Sequence, residues 1–527
     1  MSETFNMVAK TFQGLEGVLA DELTALGAQD VTQGVRVVAF KGDKELMYRA
    51  NFACRTALRI LKPFAHFTAS DPDDLYEQVR KFDWEQILQV NQTFQIDSTA
   101  YSEEFRNSRF VTYRTKDAIV DYFNDKYGKR PSIRLSNPDR RIDVHISGHD
   151  VTLSLDSSGE PLYRRGWRVA QTEAPLNEVL AAGMILLSGW HGECDLVDPM
   201  CGSGTIAIEA ALIALNINPG VFRKEFAFQK WDDYDADLFS TIYDDDSGER
   251  PFEHKIYASD IDAKAIAITR QNALNAAVAQ YIVLERKDIA DITEAPPAGV
   301  LITNPPYGER LEVAEGLYHT IGERLKRVFT GYNAWLLCYE REHYEHIGLK
   351  PSIHYPLLNG ALECELREYV IFEGSYNDMR REGGSIKNED FRASDPDRRR
   401  PLHWRDRDND EDRPPRPRRE FHHDDRRPPH REFRHDDRRE FRHEGDDRPP
   451  RREFRHEDHR EFRHDDRHDF NVEGRQPRLS PDKEVPIVHG RRKSWKRREY
   501  DERLDNVGRH DHDNQPDNNP TPDDNQQ

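Results

Sequence analysis

A strand pattern, a glycine-rich turn and an Ala-rich helix pattern follow one another near the middle of this 527-residue chain. The strand pattern covers residues 193–197 and the helix pattern covers residues 206–215. This order is typical of the nucleoside-binding corner of a Rossmann-like parallel sheet. An ordinary tight turn is the alternative, since the glycines form neither a GxGxxG fingerprint nor a P-loop. The candidate ligand contacts in the turn are Asp198, Pro199, Cys201, Gly202, Ser203, Gly204 and Thr205.

Acidic residues follow the next two strand patterns. The first of these strands ends at Asp260, and a helix pattern begins three residues later. An acid at this place can accept the hydroxyls of a ribose, whereas Asp262 suits the N-cap of the helix. The second strand pattern, residues 283–287, leads into Asp288. That side chain either meets an adenine amino group or is an acid in a surface loop.

The sequence Asn304, Pro305, Pro306 and Tyr307 gives the strongest indication of chemistry, directly after the apolar run 299–303. An exocyclic aromatic amine is a poor nucleophile because its lone pair is delocalised into the ring. Acceptors around the nitrogen can offset the positive charge that develops during attack, and the Asn304 side-chain oxygen and the Pro305 carbonyl are such acceptors. The Tyr307 ring can stack on a base, which is worth roughly 1–3 kcal/mol. With the upstream turn, these residues predict methyl transfer to a base amino group, and a Pro-rich turn is the structural alternative.

Residues 174–372 resemble a class I S-adenosylmethionine-dependent methyltransferase of the group that carries the NPPY sequence. On residues 165–168, 174–177 and 304–311, the chain is similar to the THUMP-containing RNA guanine-N2 methyltransferases. The resemblance covers about residues 1–375. It implies S-adenosylmethionine as the cofactor and a guanine of RNA as the substrate, foremost in 23S ribosomal RNA or its assembly precursor.

The resemblance also implies a role for each motif. It assigns the turn 198–205 to the methionine side of the cofactor, Asp260 to the ribose and Asp288 to the adenine. Residues 304–307 become the catalytic clamp around the target amine. Residues 174–177 become a segment that closes the cofactor pocket, although the last of them is Asn in place of the family's usual basic residue.

The N-terminal patterns follow a βαββαβ order, which suits a small α+β unit, with a hairpin turn expected at Gln33 and Gly34. By resemblance, the next part is the THUMP domain, which positions RNA. Basic residues of this part are candidate phosphate contacts, although each alone could be a solvated surface residue. They are Arg106, Arg109, Arg114, Lys116, Lys126, Lys129, Arg130, Arg134, Arg140 and Arg141.

The sequence therefore predicts an α/β protein in which a Rossmann-like methyltransferase domain follows an α+β RNA-binding region. The expected parts are a ferredoxin-like subdomain (1–67), a THUMP domain (68–157), a linker (158–173), the methyltransferase domain (174–374) and a tail (375–527). The tail contains five Arg-Glu-Phe repeats and too few apolar residues to bury a core, so we expect it to be disordered. A solubilising role and RNA contact remain alternatives for it, and no second methyltransferase domain is expected there.

Composition limits the remaining possibilities. The chain carries 77 Lys and Arg against 97 Asp and Glu, a net charge of −20, so RNA contact requires local basic patches. Five scattered cysteines suit a reducing cytoplasm and no metal site. Neither a membrane span nor an obligate protein partner is expected. A tRNA guanine, DNA adenine or protein glutamine methyltransferase and a non-catalytic RNA-binding assembly factor remain alternatives.

Overall fold

The computed structural model describes residues 3–306, 314–339, 341–360 and 362–374. Tyr307 and the whole tail lie outside these residues. The described chain is built from two β-sheets with associated helices. The expectation of an α/β fold is confirmed.

Eight strands form the first sheet, in the spatial order β2-β3-β1-β4-β8-β7-β5-β6. Because β4 pairs with both β1 and β8, the ferredoxin-like and THUMP parts share one continuous sheet. The strands are β1 (Phe5–Lys10), β2 (Gln29–Gly34), β3 (Val37–Gly42), β4 (Arg59–Thr68), β5 (Thr93–Tyr101), β6 (Ser132–Ile133), β7 (Arg140–Ser147) and β8 (Asp150–Asp156).

The turn of the first hairpin differs from the expectation. Gly34 pairs with Val37 at the end of the β2–β3 ladder, so the turn consists of Val35 and Arg36. Arg36, the second residue of the turn, has a φ of 60°, which is a left-handed backbone conformation. The prediction from Gln33 and Gly34 was therefore wrong by two residues.

Four helices pack with the first sheet. They are α1 (Glu16–Ala25), α2 (Lys44–Ala53), α3 (Pro72–Lys81) and α4 (Ser108–Tyr127). The side chains of Asp43, Asp71 and Asn107 accept backbone N–H groups at the starts of α2, α3 and α4, as N-caps do. Apolar residues of the helices and alternate residues of the strands, such as Ile142 and Val144, form one core.

Seven strands form the second sheet, in the order β11-β10-β9-β12-β13-β15-β14. They are β9 (Asp195–Asp198), β10 (Ile256–Asp260), β11 (Ile282–Arg286), β12 (Gly299–Thr303), β13 (Asn333–Cys338), β14 (Ile353–Asn359) and β15 (Leu362–Val370). The first five in this order are parallel, and β15 is antiparallel to both neighbours. The chain order reverses between β9 and β12, and ligands of open parallel sheets bind at such a switch point.

The helices of this part are α5 (Glu178–Ser188), α6 (Thr205–Ala214), α7 (Ala236–Asp244), α8 (Ala263–Asn275), α9 (Ala314–Val328) and α10 (Arg341–Ile347). Every residue of α6 is buried, which explains its Ala-rich sequence, because small side chains allow close packing on all sides. Among the described residues, no helix has the length and the apolar character that a membrane span requires.

A buried polar cluster joins the two sheets where α6 meets the loop after α2. The Arg165 Nε lies 3.4 Å from the Glu209 Oε1, and the Trp167 indole N–H donates to the same oxygen at 3.3 Å. Arg55 donates to the carbonyl oxygens of Leu212 at 3.3 Å and Ile217 at 2.9 Å. Burial raises the pKa of Glu209, which the positive charge of Arg165 opposes. These contacts hold the part of the chain that contains the first sheet against the part that contains the second sheet.

Candidate active site

The carboxyl ends of β9, β10 and β12 bring the sequence motifs together. Ala258 of β10 lies opposite Asp198 of β9, and Leu301 of β12 lies opposite Val197. Because these strands are parallel neighbours, the residues that follow them emerge at the same edge of the sheet. Asp198, the end of β10 and Asn304 are therefore brought to one side of the molecule.

The glycine-rich turn adopts the backbone conformation that its sequence predicts. Gly202 has a φ of 54° and Gly204 a φ of 79°, a region that residues with a Cβ rarely adopt. A Cβ on Gly204 would lie 2.5 Å from the Thr269 side chain, so α6 begins in close contact with α8. Apart from the two neighbouring residues, no atom of the described chain lies within 4 Å of a Cβ built on Gly202. This side of the turn faces open space, where a ligand could approach the backbone.

Asp260 ties the turn to the end of β10. Its Oδ2 accepts the N–H of Gly202 and its Oδ1 accepts the N–H of Asp262, both at 2.9 Å. Each carboxylate oxygen keeps further acceptor capacity, so the group could also accept ribose hydroxyls. Asp262 accepts the Lys264 N–H at 2.8 Å at the start of α8, which confirms its prediction as an N-cap.

Asp288 begins a short 3₁₀ turn, Ile289–Asp291, after β11. Its Oδ1 accepts the Ala290 N–H at 2.9 Å. The preceding backbone N–H, of Lys287, donates to the carbonyl of Asp260 at 3.1 Å, so the two strand ends are joined. The contact of Asp288 with an adenine stays a prediction.

Asp198 is 1% exposed, which is unusual for a carboxyl group. Its Oδ1 accepts the Thr303 hydroxyl at 2.8 Å, whereas its Oδ2 has no partner within the described chain. Burial raises the pKa of Asp198 to about 7, while hydrogen bonds from Thr303 and the Met200 N–H act in the opposite direction. A cationic or N–H-bearing ligand would meet the unused acceptor.

Asn304 directly follows β12, and its side-chain oxygen is also buried without a hydrogen-bond partner among the described residues. Pro305 is buried and Pro306 is exposed. The fourth residue of the predicted clamp, Tyr307, lies outside the described residues, so its stacking role stays a prediction. A buried carbonyl oxygen without a donor is a position where an amino group would be stabilised.

Hydrogen bonds from neighbouring segments hold the remaining residues of the turn in place. The Cys201 N–H donates to the Ser259 carbonyl at 2.9 Å, and the Ser259 hydroxyl donates to the Pro199 carbonyl at 3.4 Å. Burial raises the pKa of the Cys201 thiol, which therefore stays neutral. Ser203 and Thr205 are buried and accept hydrogen bonds from Arg168, each at 2.9 Å.

Arg168 is the residue that the sequence did not reveal. Its guanidinium donates to the carboxylate of Glu178 at 2.7 Å and to the carbonyl of Leu176 at 3.1 Å, in addition to Ser203 and Thr205. It thereby joins the linker, the start of α5 and the glycine-rich turn. Residues 165–168 contributed to the family resemblance, but they gave no sign that Arg168 contacts the turn. No spacing rule connects an arginine to a turn 35 residues later.

Two asparagines complete this support. Asn177, which replaces the usual basic residue, accepts the Val179 N–H at 2.9 Å and caps α5. Asn272 of α8 is fully buried and donates to the carbonyls of Ala170 at 2.9 Å and Ser203 at 3.1 Å. The residues before α5 are thus hydrogen-bonded to the turn directly through Arg168 and indirectly through Asn272 of α8.

The candidate phosphate contacts fall into different environments. Arg141 is 6% exposed and paired with Asp97 at 3.3 Å, and Arg140 is 3% exposed. Burial removes both from the surface, so the prediction that they contact phosphate is corrected. Arg114 pairs with Asp73 and Lys116 with Asp117, while Arg106 donates to the Glu103 carbonyl. The remaining exposed candidates are Arg109, Lys126, Lys129, Arg130 and Arg134.

Family models match three consecutive parts of the chain. An RlmL ferredoxin-like domain model matches residues 6–61, and a THUMP domain model matches residues 69–156. A model of the RMKL-like methyltransferase domain matches residues 165–368. The first two matches lie on the first sheet and the third covers most of the second sheet.

Similar proteins extend these matches. The "Putative RNA methyltransferase slr0064" of Synechocystis sp. is 40% identical over 369 residues, 69% of this chain and 96% of that protein. A "Ribosomal RNA large subunit methyltransferase K/L" of Syntrophotalea carbinolica is 40% identical over 389 residues, 71% of this chain and 54% of that protein. The chain thus spans about half the length of this relative. A solved structure of a putative methyltransferase complexed with SAH has a TM-score of 0.63 at 30% identity and covers 71% of this chain and 100% of that one.

A Rossmann-like sheet with a glycine-rich turn, preceded by a THUMP domain, defines a THUMP-containing methyltransferase. Similarity along almost the entire Synechocystis protein makes the assignment more specific. This chain belongs to the RMKL-like methyltransferase family. The resemblance that the sequence suggested is confirmed at that level.

Proposed function

We propose that this protein transfers a methyl group from S-adenosylmethionine to the exocyclic N2 amine of a guanine in RNA, foremost 23S ribosomal RNA. The observation that carries the proposal is the buried, unpartnered side-chain oxygen of Asn304 at the switch point of the second sheet. An amine that enters this site would donate to an oxygen that otherwise lacks a partner in the described chain.

The residues at the strand ends fit the cofactor. The open side of Gly202 would let a ligand approach the turn, and Asp260 at the end of β10 would accept ribose hydroxyls. Asp198 offers a buried carboxyl oxygen without a partner among the described residues, which suits the cationic methionine end. The solved relative complexed with SAH supports the same cofactor. Asp288 is the proposed adenine contact.

The chain's own contribution to the chemistry is electrostatic. When bound, S-adenosylmethionine supplies a methyl group on a sulfonium centre. Asn304 Oδ1 and the Pro305 carbonyl would accept the two N–H groups of the target amine, which localises its lone pair and offsets the charge that develops on nitrogen. The buried position of Pro305 excludes water from one side of this clamp. Tyr307 would stack on the base.

Two kinds of similarity support RNA as the substrate. The THUMP match covers residues 69–156, and the named relatives act on RNA, including large-subunit ribosomal RNA. The guanine N2 atom rests on the resemblance of residues 304–311 to guanine-N2 enzymes. A paired guanine hides its amine, so we expect the base to be extruded or methylated before the RNA folds fully. Such a substrate places the enzyme in the cytoplasm.

Substitution of Asn304 tests the clamp. Asn304→Ala should lower single-turnover methylation of 23S ribosomal RNA by about 10²–10³-fold, because one acceptor of the developing charge is lost. The dissociation constant for S-adenosylmethionine should stay near that of the parent. Asn304→Asp keeps an oxygen acceptor and should recover part of the rate. Asn124→Ala, on the exposed surface of α4, is the control.

Methylation of Asn304→Ala at the parent rate would contradict the clamp. The site of methylation needs a separate measurement. Nuclease digestion and mass spectrometry of ribosomal RNA from deletion and parent cells should show one guanine that loses a methyl group. If the missing mark lies in tRNA, or if no mark is missing, the proposed substrate is wrong.

A further inference from the structure

The exposed cations of the THUMP domain differ in whether a carboxylate already neutralises them. On α4 and its neighbours, Arg114 pairs with Asp73, and Lys126 lies 2.6 Å from the Glu85 carboxylate. Exposed ion pairs of this kind leave little net field for a distant anion. Among the candidate phosphate contacts on α4, Arg114, Lys116 and Lys126 are therefore compensated by carboxylates, whereas Arg109 forms no ion pair among the described residues.

The chain after α4 has the opposite character. Residues 128–138, named here the basic segment, contain Lys129, Arg130 and Arg134 and no acidic residue. All three side chains are exposed, and none forms an ion pair within the described chain. In a protein with a net charge of −20, such a run of uncompensated cations stands out from the rest of the surface.

The basic segment is held in a defined shape. Its centre forms β6, which pairs in parallel with β5, and the Arg134 N–H donates to the Phe94 carbonyl at 3.0 Å. The nearest acid in sequence, Asp139, accepts both the N–H and the hydroxyl of Thr93 at 2.7 Å through its Oδ2, and within the described chain it forms no ion pair with the three cations. The three cations are consequently displayed on the edge of the first sheet.

A fourth cation and two apolar side chains adjoin the segment. Lys230 donates to the Pro138 carbonyl at 3.1 Å, and its pKa is lowered by burial and by the positive charge of Arg134. Ile133 is 45% exposed and Leu135 is 75% exposed. Cations with apolar groups between them match a nucleic-acid strand, in which charged phosphates alternate with ribose and base surfaces.

We infer that the basic segment is the surface through which this protein binds the phosphate backbone of its RNA. The inference rests on the proposed RNA substrate and adds the location of the contact. Of the ten candidate phosphate contacts that the sequence suggested, it selects the three that lie next to the edge strand β6. Charge complementarity favours RNA over an acidic protein, because the exposed cations flank the edge strand β6 on both sides and do not converge on a pocket for a single carboxylate.

A salt series with the full-length protein tests the inference. The test variant is Lys129→Gln/Arg130→Gln/Arg134→Gln, and the probe is a 23S ribosomal RNA transcript. Each neutralised phosphate contributes about 0.7–0.9 to the slope of log K against log salt, so the slope should flatten by about 2–3 units. S-adenosylmethionine affinity and thermal unfolding should match the parent, because the three side chains are exposed and distant from the cofactor turn in sequence.

A matched control separates local contact from net charge. Arg49, Arg80 and Arg327 are surface arginines paired with Glu45, Asp125 and Glu323. Their triple substitution to Gln changes the net charge equally, but it should alter the slope by less than about one unit. Any RNA contact of the tail is the same in both variants and cancels in the comparison.

The outcomes are distinct. Equal slopes for the test and control variants, with parent methylation intact, would overturn the inference and leave the proposed function standing. A parent that neither binds nor methylates the transcript would overturn the proposed function. Binding of the parent to anionic phospholipid vesicles instead of RNA, lost in the test variant, would assign the segment to a membrane surface and overturn the inference.

Discussion

Two buried acceptors without partners among the described residues, Asp198 Oδ2 and Asn304 Oδ1, mark the site at the scale of single residues. An unmet buried polar group costs about 1–3 kcal/mol. Asp198 ends β9 and Asn304 follows the adjacent strand β12, and Thr303, which precedes Asn304, donates to the other oxygen of Asp198. The protein thus keeps two destabilising unpaired acceptors at a place where an incoming ligand could donate hydrogen bonds to them.

The raised pKa of Asp198, about 7, predicts how stability depends on pH. The unfolded carboxyl ionises near its ordinary value of 3.8, whereas the folded one stays protonated until about pH 7. The cofactor-free protein should therefore lose stability as pH rises between these values. Asp198→Asn cannot ionise, so its stability relative to the parent should increase by roughly 2–3 kcal/mol from pH 5 to pH 8. Chemical denaturation at both pH values measures this, and a pH-independent difference would contradict it.

Residue types and their order predicted the glycine-rich turn, the strand that ends at Asp260 and the strand before Asn304, because each has a local signature. Arg168 had none, since its four partners come from separate parts of the chain. Arg141 shows the converse, because its charge suggested the surface while its position in β7 buries its side chain. Burial of a charged residue depends on tertiary neighbours that a local pattern does not contain.

At the scale of elements, the strand, turn and helix around Gly202 were predictable to within two residues. Their signals are strong and local, namely an apolar run, two glycines and an Ala-rich stretch. The edge strand β6 was not predicted, because two residues are too few for any periodicity. The antiparallel placement of β15 was also absent from the expectation, since strand order depends on pairing between distant segments.

The two glycines of the turn give a paired prediction at this scale. In Gly202→Ala the added Cβ would lie in open space. The substitution should therefore lower the folding stability only by the backbone strain of the left-handed conformation, about 1–2 kcal/mol. Gly204→Ala adds a contact of 2.5 Å with the Thr269 side chain, so it should also displace the turn and weaken S-adenosylmethionine binding more than Gly202→Ala does. Calorimetric titration measures the affinities. Gly128→Ala, at the end of α4 with open space around it, controls for strain alone.

Equal affinities for the Gly202→Ala and Gly204→Ala proteins would contradict the role of close α6–α8 packing in holding the turn. Unchanged affinity in both would remove the turn from the cofactor site altogether. Because the Gly128 control lies in the THUMP part, its substitution should lower the unfolding temperature without changing the affinity.

At the scale of the whole molecule, the cluster around Glu209 holds the N-terminal part against the second sheet. Glu209 is fully buried with Arg165 beside it and Arg55 nearby, and burial lowers the pKa of Arg55 to about 10. Removal of one partner from a buried pair leaves an uncompensated charge. Such a cluster is costly to form but sets a single relative position of the parts.

Glu209→Gln should therefore destabilise the protein by about 3–5 kcal/mol, because two buried arginines lose their counter-charge. Glu323→Gln is the control, since Glu323 pairs with Lys326 and Arg327 on the surface and its loss should hardly matter. Denaturant unfolding measured by tryptophan fluorescence compares the two. Similar small effects for both variants would show that the cluster does not hold the parts together.

The strand β4 has a consequence for how such proteins could be recombined. It belongs to the ladder of β1 on one side and to that of β8 on the other. If residues 69–156 were removed, the edge of β4 that pairs with β8 would lose its partner strand. An unpaired strand edge can pair with other protein chains. A chimera that borrows the THUMP part from another enzyme would have to carry β4 with it. The THUMP and ferredoxin-like parts are therefore expected to be inherited together, as a single transplantable unit.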